Sequence, residues 1–168
     1  MIEVLIRRSG AFVLLILLQV LVLNNVLFYG FINPYFYVLF LITLPMTLSR
    51  EAFLMIGFLM GIIIDIFSGT LGYHASACVL LCYLIPYLQD LFGPRNDHSS
   101  NVEPSFKTFG SGAFMQYALI LVVIHHFCFL LVEHGSFSDI LWVLLKTILS
   151  SVFTFLMIWV WEIVKSKK

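Results

Sequence analysis

Asp65, His125, His126 and Lys146 are ionisable side chains set inside long apolar runs. In a membrane segment such residues are costly unless they are paired or face a cavity, so each is a candidate functional group. Asp65 lies in the stretch Gly57-Phe-Leu-Met-Gly61-Ile-Ile-Ile-Asp65-Ile-Phe-Ser-Gly69-Thr-Leu-Gly72-Tyr73-His74. A spacing of four puts Gly57, Gly61 and Asp65 on one helical face. The glycines let another backbone come close and the third member is a carboxylate. The stripe therefore reads as a packing and recognition face, fitting an internal seam about as well as a docking site for a partner. Ser68-Gly69-Thr70 and Gly72 then break the helix.

Lys146 falls about 11 Å inside the last apolar run at 1.5 Å per residue. Its stem is long enough to carry the ammonium toward Asp65, with a histidine of the fifth run nearby, and we expect the two to pair. The plainer alternative for Asp65 is a carboxylate at a helix end reaching interfacial water. His125 and His126 diverge by about 100° on a helix, so only one is expected to face the core squarely. With His74, Glu133 and His134 they offer metal-ligand types. No HExxH spacing joins them, so core hydrogen bonding is the favoured reading and no metal or other cofactor is assigned. Cys78, Cys82 and Cys128 read as small buried hydrophobes; Cys78 and Cys82 share a helix face, which suits no disulfide.

The elements that must position these residues follow from composition. Of 168 residues, 61% are hydrophobic and 11% charged, and mean hydropathy is +1.05, more apolar surface than a soluble domain hides. The formal net charge is zero, which gives no electrostatic footprint for nucleic acid. The expected architecture is one all-α transmembrane domain over residues 1–168, a six-helix bundle with helices near 10–29, 34–48, 51–67, 73–92, 110–132 and 139–164. Asn33-Pro34 is expected to start the second helix, which is short for a full span, and Ser138-Asp139 to cap the sixth. The polar stretch 93–109 is expected to be a solvent-exposed loop. Arg7, Arg8, Arg50, Arg95, Lys107, Lys165, Lys167 and Lys168 all fall on one side of this arrangement, leaving Lys146 as the exception. The positive-inside rule then places both termini in the cytoplasm. No Walker A, GxSxG or HExxH sequence is present and no charged series crosses the bundle, which argues against an enzyme or a self-powered pump.

Over nearly its whole length the chain resembles the rod shape-determining protein MreD family. The resemblance rests on length, on six helices with both ends inside, and on Asn33-Pro34-x-Phe36 followed by a run ending in Leu44-Pro45. It rests further on Gly61-Ile-Ile-Ile-Asp65-Ile-Phe67-Ser68 with Leu71-Gly72-Tyr73-His74, and on a histidine-bearing fifth helix. The 93–109 loop is longer than the family's connector. The resemblance implies a non-enzymatic component of the bacterial cell-elongation machinery, in the cytoplasmic membrane. It would bind the bitopic protein MreC and support the RodA glycosyltransferase, its partner transpeptidase and MreB filaments in peptidoglycan synthesis. The family is similar in fold to the substrate-binding subunits of energy-coupling-factor vitamin transporters. The alternative expectation is therefore a small-molecule-binding subunit, with Asp65, His125 and Lys146 lining an outward pocket.

Overall fold

The computed structural model describes residues 2–25, 32–70, 72–94, 102–135 and 139–167. These are helical and irregular, and five helices have the length and apolarity to cross a membrane. They are α1 (Ile2–Leu21), α3 (Arg50–Ser68), α4 (Tyr73–Phe92), α6 (Ser111–His134) and α7 (Ile140–Ser166). Two short α-helices, α2 (Val38–Ile42) and α5 (Phe106–Phe109), and a 3-10 turn at Leu23–Asn25 complete the set. The long helices form a row of neighbours in the order α1, α3, α4, α6, α7.

Local sequence explains most helix ends. Ser49 caps α3 by accepting from the Ala52 N–H at 3.3 Å. Gly69 ends α3 with φ 67°, a left-handed turn that glycine enters without a Cβ clash, and Gly135 ends α6 with the same φ. α1 ends at Leu21, eight residues short of the expected Tyr29. The Asn25 amide there caps the carbonyls of Val20 and Leu21 at 3.2 and 3.1 Å, and residues 26–31 lie outside the described chain. The Asp139 side chain makes no capping bond; it faces His134, 3.5 Å away, and Ser138 lies outside the described residues.

The second apolar run departs most from expectation. The helix expected over 34–48 is only the five residues of α2, flanked by turns at residues 36–37 and 43–44 and irregular backbone beyond, and Asn33 does not cap it. Pro34 through Pro45 are all buried. The segment runs antiparallel to α1, since Phe36 sits beside Gln19 whereas Thr43 sits beside Arg8. It also bridges the ends of the helix row, holding Gln19 of α1 on one side and Ser150 and Thr154 of α7 on the other. Tyr35 lies against His74, and Leu44 against Gln89, fifteen residues further along α4 and about 22 Å away at 1.5 Å per residue.

Backbone outside a regular helix in an apolar core needs hydrogen-bond partners from elsewhere. The surrounding helices supply them. Gln19 accepts from the Phe36 N–H at 3.1 Å and donates to the Pro34 carbonyl at 3.1 Å. Thr154 accepts from the Tyr35 N–H at 3.0 Å. The Tyr117 hydroxyl donates to the Ile42 carbonyl at 2.8 Å, the Gln89 amide to that of Leu44 at 2.9 Å, and Arg8 to that of Thr43 at 2.6 Å.

The described part of the 93–109 connection is docked against the bundle rather than free in solvent. The Met46 N–H donates to the Val102 carbonyl at 3.0 Å, Glu103 pairs with Arg8 at 3.0 Å, and Pro104 and Ser105 are buried. The buried Glu162 of α7 accepts from the Phe106 N–H at 3.1 Å. Phe106 and Phe109 pack on Phe114 and Tyr117 of α6.

Candidate functional site

The glycine stripe faces inward. A Cβ on Gly57 would sit 2.6 Å from Cys82 Sγ and 2.9 Å from the Cys78 carbonyl oxygen. One on Gly61 would collide with the backbone of Ala75. The stripe is therefore the seam between α3 and α4, two helices brought to near-contact of their backbones. Cys78 and Cys82 are free and buried, small enough to sit against that seam.

Asp65 completes the same seam. Its carboxylate is 1% exposed and fully engaged. Oδ1 accepts from the Thr70 hydroxyl and from the His74 N–H at 3.0 Å; Oδ2 accepts from the Ala75 N–H at 2.9 Å. α3 thus provides the acceptor for the first N–H groups of α4, where a negative charge also complements the helix dipole. The Asp65 carbonyl oxygen in turn accepts from Gly69 and from Thr70, at 3.0 Å for the latter, closing the turn between the helices. Leu71 lies outside the described residues.

Lys146 is elsewhere, and the expected pair with Asp65 is overturned. Its Nζ lies over the Trp142 ring, 5.6 Å from the centroid and one turn back on α7, and no ion pair joins it to Asp65. The carboxylate has no need of a cation because backbone and hydroxyl donors fill both oxygens. The lysine instead lies against an aromatic face.

The histidines form a second cluster next to this seam, around Tyr35. The Tyr35 ring lies 5.3, 5.8 and 5.0 Å from those of His74, His125 and His126, and 4.7 Å from that of Phe129. His74 stacks on Phe129 at 4.5 Å. Tyr37 joins its hydroxyl to His125 Nε2 at 2.8 Å. His126 Nδ1 meets the Val122 carbonyl at 2.8 Å, so that nitrogen carries the proton; Nε2 then accepts from the Thr154 hydroxyl at 3.1 Å. Both His125 and His126 are buried, although only one was expected to face the core. α6 sits between α4 and α7 with the 34–45 segment against it, so its buried arc is wider than one neighbour would make it.

Sequence reasoning brought Asp65 and the two histidines into one buried polar cluster with Lys146. The structure keeps the first three near each other through His74 and removes the lysine. It adds Tyr35, Tyr37, Gln19 and Thr154, which no motif marks. Gln19 and Thr154 are polar in apolar runs, and that was the available signal. Among the described residues no three His, Cys, Asp or Glu side chains gather as a metal site would require; His134 is on the exposed end of α6. The cluster can hold helices in register through hydrogen bonds and ring contacts. His74 Nδ1 and His125 Nδ1 are buried there without a hydrogen-bond partner. The described residues define an all-α, multi-pass membrane protein. No family model, curated protein or solved structure matches the chain.

Proposed function

We propose that this chain is an MreD-type, non-enzymatic component of the bacterial cell-elongation complex. It sits in the cytoplasmic membrane, binds MreC there and, with it, supports RodA, the elongation transpeptidase and MreB in controlling cell shape. The observation that carries this reading is the meeting of the motif residues in space. The Pro34 carbonyl is held by Gln19, and Gln19 contacts Asn24, which in turn donates to Ser68 at 2.7 Å. Ser68 ends the helix of Gly61 and Asp65, and Asp65 anchors His74, whose ring meets Tyr35 and Phe129. Residues far apart in sequence thus build one hydrogen-bonded end of the bundle, as expected if they were selected as a unit. Six crossings follow if the 34–45 segment counts as a passage, returning both termini to the cytoplasmic side.

Co-expression of the tagged chain with the MreC of the same cell tests the reading. Stable co-purification in detergent, and recovery of rods from spheres in a rod-shaped bacterium deprived of its own MreD, are the expected results. A preparation that carries a tightly held vitamin and no single-span partner would overturn it in favour of a transporter subunit.

A further inference from the structure

The outer rim of the α3–α4 seam carries a feature that the internal support does not use. Leu54 and Phe58 on α3, with Val79, Leu80 and Tyr83 on α4, wall an apolar groove of about 630 Å³ that reaches Ala75 and Ser76. Of its two hydroxyls, that of Ser76 is bonded back to the Tyr73 carbonyl at 2.9 Å and that of Tyr83 stands at the end nearer Tyr87. Arg50 stands at the foot of the groove. It is four residues before Leu54 and eight before Phe58, hence on the same helical stripe. Tyr87 stands four residues beyond Tyr83 on the facing stripe, with the two rings 5.6 Å apart. The Arg50 guanidinium donates to the Tyr87 hydroxyl at 3.2 Å and lies over its ring at 4.9 Å. It is exposed and has no carboxylate partner among the described residues. That contrasts with Arg8, held by Glu103, and Lys165, held near Glu162.

We propose that this groove binds a single anionic phospholipid of the bilayer, its phosphate on Arg50 and one acyl chain along the wall from Tyr83 to Ala75. The guanidinium uses one donor on Tyr87 and presents the others in the planar fork that suits a phosphate. Charge at one end and an unbroken apolar wall beyond it match the two parts of a lipid. Gly57 and Gly61 draw α3 and α4 together, leaving a narrow valley between their rims. From Ala75 to Tyr83 the groove runs about 12 Å at 1.5 Å per residue. The site rests on the fold alone, and its test does not depend on MreC.

The full-length chain, purified in detergent, is mixed with equimolar phosphatidylglycerol and phosphatidylcholine of identical acyl chains, and native mass spectrometry counts the adducts. One phosphatidylglycerol is expected per chain, about tenfold over phosphatidylcholine. Arg50→Gln, which keeps a donor for Tyr87, should bring the two lipids to parity. Leu80→Trp, which fills the groove and leaves Arg50 in place, should lower both adducts several-fold. Both variants should keep the elution volume of the folded chain. Equal adducts on the unaltered chain would overturn the proposal. So would a phosphatidylglycerol preference that survives Arg50→Gln, or adducts on Leu80→Trp undiminished from those of the unaltered chain.

Discussion

Asp65 is a buried carboxylate whose work is structural, and that makes a sharp prediction about substitution. Its oxygens hold two backbone N–H groups and one hydroxyl. Hydrogen bonds to charged groups contribute about 1.5–3 kcal/mol each, and orphaned buried donors add to the loss. Asp65→Ala should therefore lower stability in detergent by at least about 3 kcal/mol, and Asp65→Asn by less, because an amide oxygen still accepts. Lys146→Met should change stability by under about 0.5 kcal/mol, as expected of a partly exposed cation. The two losses should add within about 0.5 kcal/mol, since the residues share no partner. A recovery in the double variant, read as melting temperature, would restore the ion pair that the structure rejects. At the same scale, Tyr37→Phe leaves His125 Nε2 without its bond and should cost about 1–3 kcal/mol, visible as earlier unfolding in a denaturant titration.

At the scale of elements, two features set the fold. The first is the α3–α4 seam. The backbone of Ala75 cannot yield to a Cβ at position 61 as a side chain could, so Gly61→Leu should prevent accumulation of folded protein, measured by fluorescence-detected size exclusion. Gly57→Leu meets both Cys82 Sγ and the Cys78 carbonyl and should fail likewise. A folded Gly57→Leu monomer that merely lost a partner would show the stripe to be a docking face instead. The second feature is the segment 34–45, whose backbone relies on side chains of its neighbours. Gln19→Leu strips the acceptor from the Phe36 N–H and the donor from the Pro34 carbonyl. Bilayer hydrocarbon offers no replacement, so this substitution should destabilise by more than about 2 kcal/mol despite raising hydrophobicity. A thermal-shift assay showing Gln19→Leu unchanged or stabilised would mean that the segment is hydrated.

At the scale of the whole molecule, the passage of 34–45 decides topology. Five helices alone would leave the termini on opposite sides; in the proposed six-crossing arrangement the antiparallel segment is the passage that brings them to the same side. The described cations gather accordingly, with Arg8, Arg50, Lys107, Lys165 and Lys167 at or near helix ends that share one face. The docked stretch 102–109 ties that face together, joining α1 through Arg8 and α7 through Glu162. A reporter active only outside the cytoplasm should be silent after Lys168 and active when inserted at Gly135. Activity at both positions would reduce the crossings to five.

Hydropathy by itself determined the class of protein and the extents of α3, α4, α6 and α7, because a long apolar run in a membrane must form a helix to satisfy its own backbone. Ser49, Gly69 and Gly135 marked helix ends through chemistry that is local to each. The spacing of Gly57, Gly61 and Asp65 fixed that they share a face. Only tertiary structure decided what that face meets, since a glycine pair looks the same in sequence whether its neighbour is α4 or another protein. Tertiary structure likewise decided the fate of the second run. Its residues are apolar enough for a helix, but neighbouring side chains that satisfy its backbone release it from the need to form one. Asp65 and Lys146 show the same limit. Opposite charges at similar depth suggest a pair, but rotation about each helix axis, set by packing against neighbours, points Asp65 at the start of α4 and leaves Lys146 beside Trp142.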